Sequence, residues 1–541
     1  MTINMKKSVF RRILMTGVGM VCFTFSCTNL DEKLYSDVTA NNFFKTDEEF
    51  IAALGQAYSS FGGIGNHFGL WTINELSSDE LVISTKGGDW YDGGVLLQMH
   101  QHNYVASNGL FNSAWGFCYG GIGTCNRLIA QFKDLNTPAA DAFIAELRAV
   151  RALWYYWLVD SFGNVPLVID FKDVSKPATK KRAEIYAFVE SELLAVVNVL
   201  PTKKDASTYG RMTKWSALAI LTKLYLNAEV FTGTQQWQKA IDNANNLINN
   251  GGYSLENSYA ANFAIDNAGS KENIFVYPYD KVFAQGFNWV AMTLSVASQP
   301  TYNLTFQPWN GYQTMEEFYN SYIDPAKNPG PQGPVWKGLT KDANKDGISD
   351  DTGTVDGRLT NFIVGPQYNQ DGTRTLDAGY EAGKDFDGAP VTFTPELNEI
   401  YPQGLRQAGA RIGKYAFEVG GTNNMSNDFV IFRLSDIILS LAEAKMRLGD
   451  AASALILVNS IRTRAGVTPY TLLTFDNLFA ERGREMYAEM TRRQDLIRFG
   501  KFNAAWWEKK ASTTQYNLFP IPKQQTDANN LLVQNPGYTG G

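Results

Sequence analysis

Helical periodicity is strong at both ends of this chain and largely vanishes between about residues 256 and 426. That interruption constrains the fold more than any single motif. On the N-terminal side, Thr46-Asp-Glu-Glu opens a helix expected to run through Ser59, with acids in the first turn where the helix dipole favours them. Phe111 to Phe132 also reads as helical. Pro138 to Val159 carries Leu147, Val150, Trp154 and Trp157 at helical spacing, and Gly163-Asn164-Val165-Pro166 ends it. Arg182 to Leu200 follows and stops at Pro201. Next come Thr213 to Phe231, opening with Trp215, Leu218 and Ala219, and Gln236 to Asn249, with Trp237, Ala240, Ile241 and Ala244 on one face. Small residues at fixed offsets with a ring at each helix start match tetratricopeptide-type hairpins. The pattern returns in Phe429–Leu448, Ala451–Arg464 and Phe475–Arg498.

The middle is rich in Gly, Pro, Asn, Asp and rings, as in Gln307-Pro-Trp-Asn-Gly-Tyr312. A long irregular stretch inside a compact chain is usually functional. The expected organisation is therefore one mainly α scaffold, a tetratricopeptide-like α-superhelix, interrupted in sequence by a large loop-rich insertion. Its boundaries are 1–26 as a leader, 27–255 as N-terminal helices with a binding loop near 87–94, 256–426 as the irregular region, and 427–541 as the helices that complete the scaffold.

Residues 1–26 have the layout of a lipoprotein signal peptide. Lys6, Lys7, Arg11 and Arg12 precede an apolar run from Ile13 to Phe25 that is too short to span a bilayer, and Ser26 precedes Cys27. Cys27 is the expected lipidation site. Cleavage there leaves 44 basic against 54 acidic residues, a balance that argues against a nucleic-acid partner. Mean hydropathy of −0.23 excludes a polytopic membrane protein. Cys118 and Cys125 lie seven apart on one expected helix, ~10 Å by rise alone, so two buried free thiols are expected rather than a disulfide.

Catalytic signatures are missing: the chain has no G-x-S-x-G, H-E-x-x-H or Walker A motif. His100-Gln-His102 would put two imidazoles on one face of a strand, but two ligands do not make a metal site, and satisfied surface histidines are expected. Aromatics reach 13% of the chain while charged residues are only 19%, against a usual ~25%. Two places concentrate this ring surplus. Gly87-Gly-Asp-Trp-Tyr-Asp-Gly-Gly94 sets Trp90 and Tyr91 between paired glycines with Asp89 and Asp92 beside them. A Trp face matches the C–H face of a pyranose, and adjacent carboxylates accept sugar hydroxyls. The same loop could instead plug its own core with Trp. Trp309, Asn310 and Tyr312, with Trp289 and Tyr302 upstream, form the second candidate platform.

A third motif, Asp342-x-Asn344-x-Asp346-Gly347-Ile348-x-Asp350, has oxygen ligands at alternating positions with Gly sixth, as in a calcium loop. Gly353 stands where the bidentate Glu belongs, so a Ca2+ ion would need a carboxylate from elsewhere, such as Asp351 or Asp356. A solvated acidic turn fits the same residues.

The order of several motifs resembles the SusD/RagB family of outer-membrane nutrient-binding lipoproteins. These are Leu30-Asp-Glu-Lys-Leu and Asn42-Phe-Phe-Lys-Thr-Asp-Glu-Glu-Phe50; Trp115, Tyr119 and Cys125-Asn-Arg127; Glu146-Leu-Arg-Ala and Phe162-Gly-Asn-Val-Pro-Leu167. They continue in Arg433-Leu-Ser-Asp, Val458-Asn-Ser-Ile-Arg-Thr-Arg-Ala-Gly466, Glu481-Arg-Gly-Arg-Glu485, Arg493-Gln-Asp-Leu-Ile-Arg498, Phe519-Pro-Ile-Pro522 and Gln534-Asn-Pro-Gly-Tyr538. Met490-Thr491 departs from the family's usual Glu-Gly at a scaffold position. The resemblance implies a SusD-like fold with no catalytic activity and no cofactor. It implies a cell-surface lipoprotein, lipid-anchored in the outer membrane, that captures polysaccharide or oligosaccharide as a hinged lid over a SusC-like TonB-dependent transporter, with the helical scaffold facing the barrel. Peptide capture by a RagB-like lid is the alternative; a surface glycoside hydrolase has nothing in the sequence to favour it. Of the family's binding site only the location carries over, to the loop of Trp90 and the segment of Trp309 and Tyr312.

Overall fold

Thr46 and Glu49 form a capping box, each backbone N–H donating to the other's side chain (3.1 and 3.4 Å), and this starts the helix Asp47–Ser59. The structure, a computed structural model, describes residues 46–135, 137–323, 356–378 and 387–539. Cys27 and the whole Asp342, Asn344, Asp346, Ile348 and Asp350 motif lie outside the described residues.

Two long helices, Gly109–Lys133 and Pro138–Ser161, pack against each other. Gly121 sits at their contact, where a Cβ would fall 2.2 Å from Trp154 Cε2. Only a hydrogen there lets Trp154 lie flat on Phe61, with ring centroids 4.5 Å apart. Cys118 and Cys125 are buried free thiols on the first of these helices, and burial pushes the Cys125 thiol up to about 12. Arg182–Val196 packs on Pro138–Ser161, with Arg151 bonded to Glu192 at 2.6 Å.

The segment expected to be one helix from Thr213 to Phe231 is two, Lys214–Leu226 and Ala228–Thr232. They break at Asn227, whose Nδ2 donates to the Lys223 carbonyl (2.8 Å) and to Gln494 Oε1 (2.9 Å). Side-chain bonding to the preceding turn competes with the backbone ladder. Trp237–Asn250 packs on Lys214–Leu226 and also on Leu434–Arg447, which in turn carries Ala451–Arg464. The helices on either side of the irregular middle therefore stack into one scaffold.

Two C-terminal expectations need correction. Phe429–Arg433 is a strand rather than the start of a helix; it pairs antiparallel with Asn273–Tyr277, and the helix begins only at Leu434. The sequence Phe-Val-Ile-Phe has high strand propensity, and a partner strand from the irregular region makes use of it. The expected helix Phe475–Arg498 is also split, into Phe475–Met486 and Arg492–Arg498. Between them Ala488 and Met490 adopt φ of 58° and 57°. There the backbone N–H groups leave the helical ladder for side-chain carboxyl groups: Ala488 donates to Glu80 (2.8 Å) and Met490 to Glu75 (2.6 Å).

A buried ion network braces this turn. Arg433 is fully buried and donates to Glu489 (2.8 Å), Glu272 (2.8 Å) and Glu485 (2.6 Å). Lys414 adds a bond to Glu489 at 2.8 Å. The described strands all lie in two-stranded pairs. No helix among the described residues is long and apolar enough to cross a membrane.

Candidate functional site

One short strand pair brings the two ring motifs together. Leu81–Val82 pairs antiparallel with Gln313–Thr314, Leu81 opposite Thr314 and Val82 opposite Gln313. The chain leaving the first strand runs into the Gly87–Gly94 loop, and the chain entering the second carries Trp309 to Tyr312. Glu75 and Glu80, which accept from the turn at Ala488–Met490, precede that first strand.

Trp309 to Tyr312 is tied to the short helix Trp289–Thr293. Trp309 N donates to the Ala291 carbonyl (2.7 Å), Gly311 and Tyr312 to that of Met292 (2.6 and 2.8 Å), and Asn310 to that of Leu294 (2.9 Å). Carbonyls at a helix C-terminus lack intrahelical partners, and here the ring segment supplies them. Trp90 crosses the gap: its Nε1–H donates to the Trp309 carbonyl at 2.7 Å. Its ring edge occupies the space a Cβ at Gly311 would need, 2.9 Å from Trp90 Cζ2. Glycine is required there by proximity rather than by conformation.

The result is a cavity of about 510 Å³ lined by His67, Phe68, Asp89, Trp90, Asp92, Val296, Gln307, Pro308 and Trp309. Its size is that of an ordinary small-ligand site. Three of the lining residues hold the left-handed region without being glycine: Phe68 (φ 61°), Trp90 (φ 61°) and Asp92 (φ 44°). Each such residue costs roughly 1–3 kcal/mol, and such strain clusters at functional sites. The cavity combines half-buried indoles with two carboxylates and an amide. It can stack a flat apolar face and accept hydrogen bonds from hydroxyls.

Of the residues singled out from the sequence, Asp89, Trp90, Asp92 and Trp309 line the cavity. Tyr91 lies outside it, 43% exposed and tilted against Tyr401 with centroids 5.5 Å apart. Trp289 and Tyr312 are 1% and 0% exposed and pack on Trp71, at 4.4 and 5.0 Å between centroids. Asn310 is 2% exposed and donates to the Arg406 carbonyl at 3.3 Å. These three do not line the cavity; they form the core on which it rests. Tyr302, the upstream ring of that second motif, is buried as well.

The histidines depart from expectation. His100 and His102 are buried rather than at the surface, and they close a helix end rather than share a strand. His102 Nε2 lies 2.8 Å from the Ser77 carbonyl and His100 Nε2 2.7 Å from that of Trp507. Burial pushes His100 down to about 4. The overlooked residue is His67, half-buried on the cavity wall with its ring 5.2 Å from Trp309. A signal was available: Gly65-Asn-His-Phe-Gly69 repeats the glycine-flanked ring pattern of Gly87–Gly94. Burial holds its protonation below the ordinary imidazole range, against the opposing pull of Asp92.

Asp356, considered above as a further calcium ligand, is committed to Arg358, with both carboxylate oxygens 3.0 Å from the guanidinium. Among the described residues no group of three or more His, Cys, Asp or Glu is placed to hold a metal ion.

Comparison with known proteins gives two family matches. Residues 271–538 match a model described as the SusD family, and residues 30–226 match one described as starch-binding associating with outer membrane. The chain is 29% identical over 496 residues to starch-binding protein SusD of Bacteroides thetaiotaomicron, covering 86% of this chain and 85% of that one. It is 23% identical to SusD-like protein P25 of Formosa agariphila, covering 96% and 98%. Among solved structures, a laminarin binding SusD-like protein superposes with a TM-score of 0.68 at 22% identity, over 92% of this chain and 100% of the other. Surface glycan-binding protein A from Bacteroides thetaiotaomicron, in complex with laminarihexaose, gives 0.69 at 20% identity, over 90% and 99%. The fold is therefore the mainly helical SusD-like one.

Proposed function

The chain belongs to the SusD family of non-catalytic binding proteins, and from that premise we propose that it binds polysaccharide or oligosaccharide in the cavity between Trp90 and Trp309. The bound glycan would then pass to a SusC-like TonB-dependent transporter. In this reading Cys27 carries the lipid that holds the protein at the outer membrane, exposed on the cell surface. The association of the matching family with the outer membrane supports that placement, and the starch- and laminarin-binding relatives support a glycan ligand.

The observation that carries the reading is the convergence of Trp90 and Trp309, from distant parts of the chain, on one cavity that also holds Asp89 and Asp92. Indole faces stack on the C–H faces of pyranose rings, and ionised carboxylates accept their hydroxyls. Calorimetric titration with laminarihexaose, maltohexaose and a panel of short peptides tests it. Binding of a glycan, lost on replacing both Trp90 and Trp309 with Ala, is expected. Heat from peptides alone would replace this reading with the peptide-binding one. A glycan affinity unchanged in the double variant would remove the site.

A further inference from the structure

The hydrogen bonds around His67 fix the position of its imidazole proton. Its backbone N–H can only donate, and its partner is Asn288 Oδ1 at 3.2 Å. That contact sets the orientation of the Asn288 amide, which is 7% exposed. The Nδ2 group of Asn288 then faces the imidazole, 2.7 Å from His67 Nδ1, and also lies 3.2 Å from Asn66 Oδ1. An amide NH2 has no lone pair to offer, so Nδ1 must be the acceptor and the ring proton must sit on Nε2. Nε2 has no hydrogen-bond partner among the described residues and is not one of the buried, unpaired atoms. The ring itself is part of the cavity wall, against Trp309 and Phe68.

We infer that His67, held as its Nε2–H tautomer by Asn288, is a hydrogen-bond donor of the cavity, its Nε2–H donating to a hydroxyl oxygen of the ligand. The inference rests on the glycan reading above and deepens it. An ionised carboxylate at Asp89 or Asp92 can only accept, the rings supply faces, and Gln307 carries an amide that can donate or accept. A sugar hydroxyl that donates to a carboxylate has lone pairs left, and a neutral imidazole N–H is a matching partner. The charged groups that line the cavity with the ring are Asp89 and Asp92 of the loop, of which Asp92 acts on it directly; the Gln307–Trp309 segment and the helix that begins at Trp289 bring none. His67 is a ligand-contacting residue in this scheme, and Asn288 is a positioning residue.

The chain has three histidines, so ¹⁵N-histidine labelling with His67→Gln for assignment reads the tautomer directly. In the free protein at neutral pH, His67 is expected to show a protonated Nε2 and a bare Nδ1. Asn288→Asp should move the proton to Nδ1 or charge the ring, because a carboxylate accepts at both contacts. With laminarihexaose and maltohexaose as probes, His67→Phe should weaken binding about three- to tenfold, the range for one hydrogen bond, and His67→Gln should restore part of it. A free-protein spectrum showing Nδ1–H would overturn the inference. So would unchanged affinity in His67→Phe where Trp90→Ala loses it, and that result would leave the glycan reading standing. Failure of the wild-type protein to bind either probe, with the Nε2–H tautomer intact, would overturn both.

Discussion

Replacing Trp90 separates the contributions of its ring, its N–H and its backbone. Trp90→Ala removes the indole face and the Nε1–H bond to the Trp309 carbonyl at 2.7 Å. A stacking ring contributes about 1–3 kcal/mol, by analogy with base stacking on aromatic side chains. That range corresponds to roughly a 5- to 150-fold rise in Kd. Trp90→Phe keeps a ring but loses the N–H bond, whose net worth is about 0.5–1.5 kcal/mol. Because that bond spans the two ring-bearing segments, its loss acts on the preorganisation of the cavity, and an intermediate affinity is expected. Trp90→Gly should bind as weakly as Trp90→Ala and yet be more stable. The backbone at 90 has φ of 61°, which costs an L-residue about 1–2 kcal/mol, while glycine gives back about 0.4–1 kcal/mol through its freer unfolded chain. Calorimetry with laminarihexaose and maltohexaose, paired with denaturant unfolding, measures both quantities. Binding of Trp90→Ala within twofold of wild type would refute the stacking role of the ring, and easier unfolding of the Gly variant than of the Ala variant would refute the backbone strain at residue 90.

Gly311→Ala should weaken glycan binding without touching the ligand, since its Cβ would meet Trp90 Cζ2 at 2.9 Å and the Met292 carbonyl at 2.8 Å. The expected stability loss is about 1–3 kcal/mol, and wild-type affinity in this variant would show that the ring position is not set there. Arg433→Met should cost about 3–5 kcal/mol in denaturant unfolding, because Glu272, Glu485 and Glu489 lose their shared cation while remaining buried; adding Glu489→Gln should recover part, and no recovery would contradict that cause. Glu75 gives a pH test. Burial pushes its carboxyl up to about 7, with Glu80 displaced in the same direction. The folded state therefore holds a proton that the unfolded chain releases near 4.5, so stability is fullest below that pH and is lost as pH rises through about 7. Glu75→Gln should flatten this fall, which is worth at most roughly 3 kcal/mol; an unchanged slope between pH 5 and 8 would count against the buried carboxyl as its source.

Local signals located most of the scaffold. The Thr46-Asp-Glu-Glu start with its first-turn acids, the Gly163 stop and the Trp215 and Trp237 helix starts are short-range features, and the helices appear where they put them. Where the reading missed, a distant partner had intervened. Phe429–Arg433 became a strand because Asn273–Tyr277 lies beside it. The helix from Phe475 broke because Glu75 and Glu80, some four hundred residues earlier, took its N–H groups (|i−j| of 415 and 408).

The candidate site divides along the same line. Composition and glycine spacing marked the loop of Trp90 and the segment of Trp309 as ring-rich and unusual, since turn chemistry and ring surplus are written in the residues themselves. Which rings face the cavity was not legible. Trp289, Tyr302 and Tyr312 belong to the same ring-rich stretch as Trp309, and only tertiary packing buries them, Trp289 and Tyr312 against Trp71 and Tyr302 against Phe417. The role of His67 depends on an amide 221 positions away that has no sequence signature of its own. Sequence alone thus determined the helical scaffold, its interruption and the places where rings gather, because those follow from periodicity and local propensity. Tertiary structure alone decided which rings line a cavity and which atom offers a proton there, because burial and hydrogen-bond partnership are properties of pairs brought together by the fold.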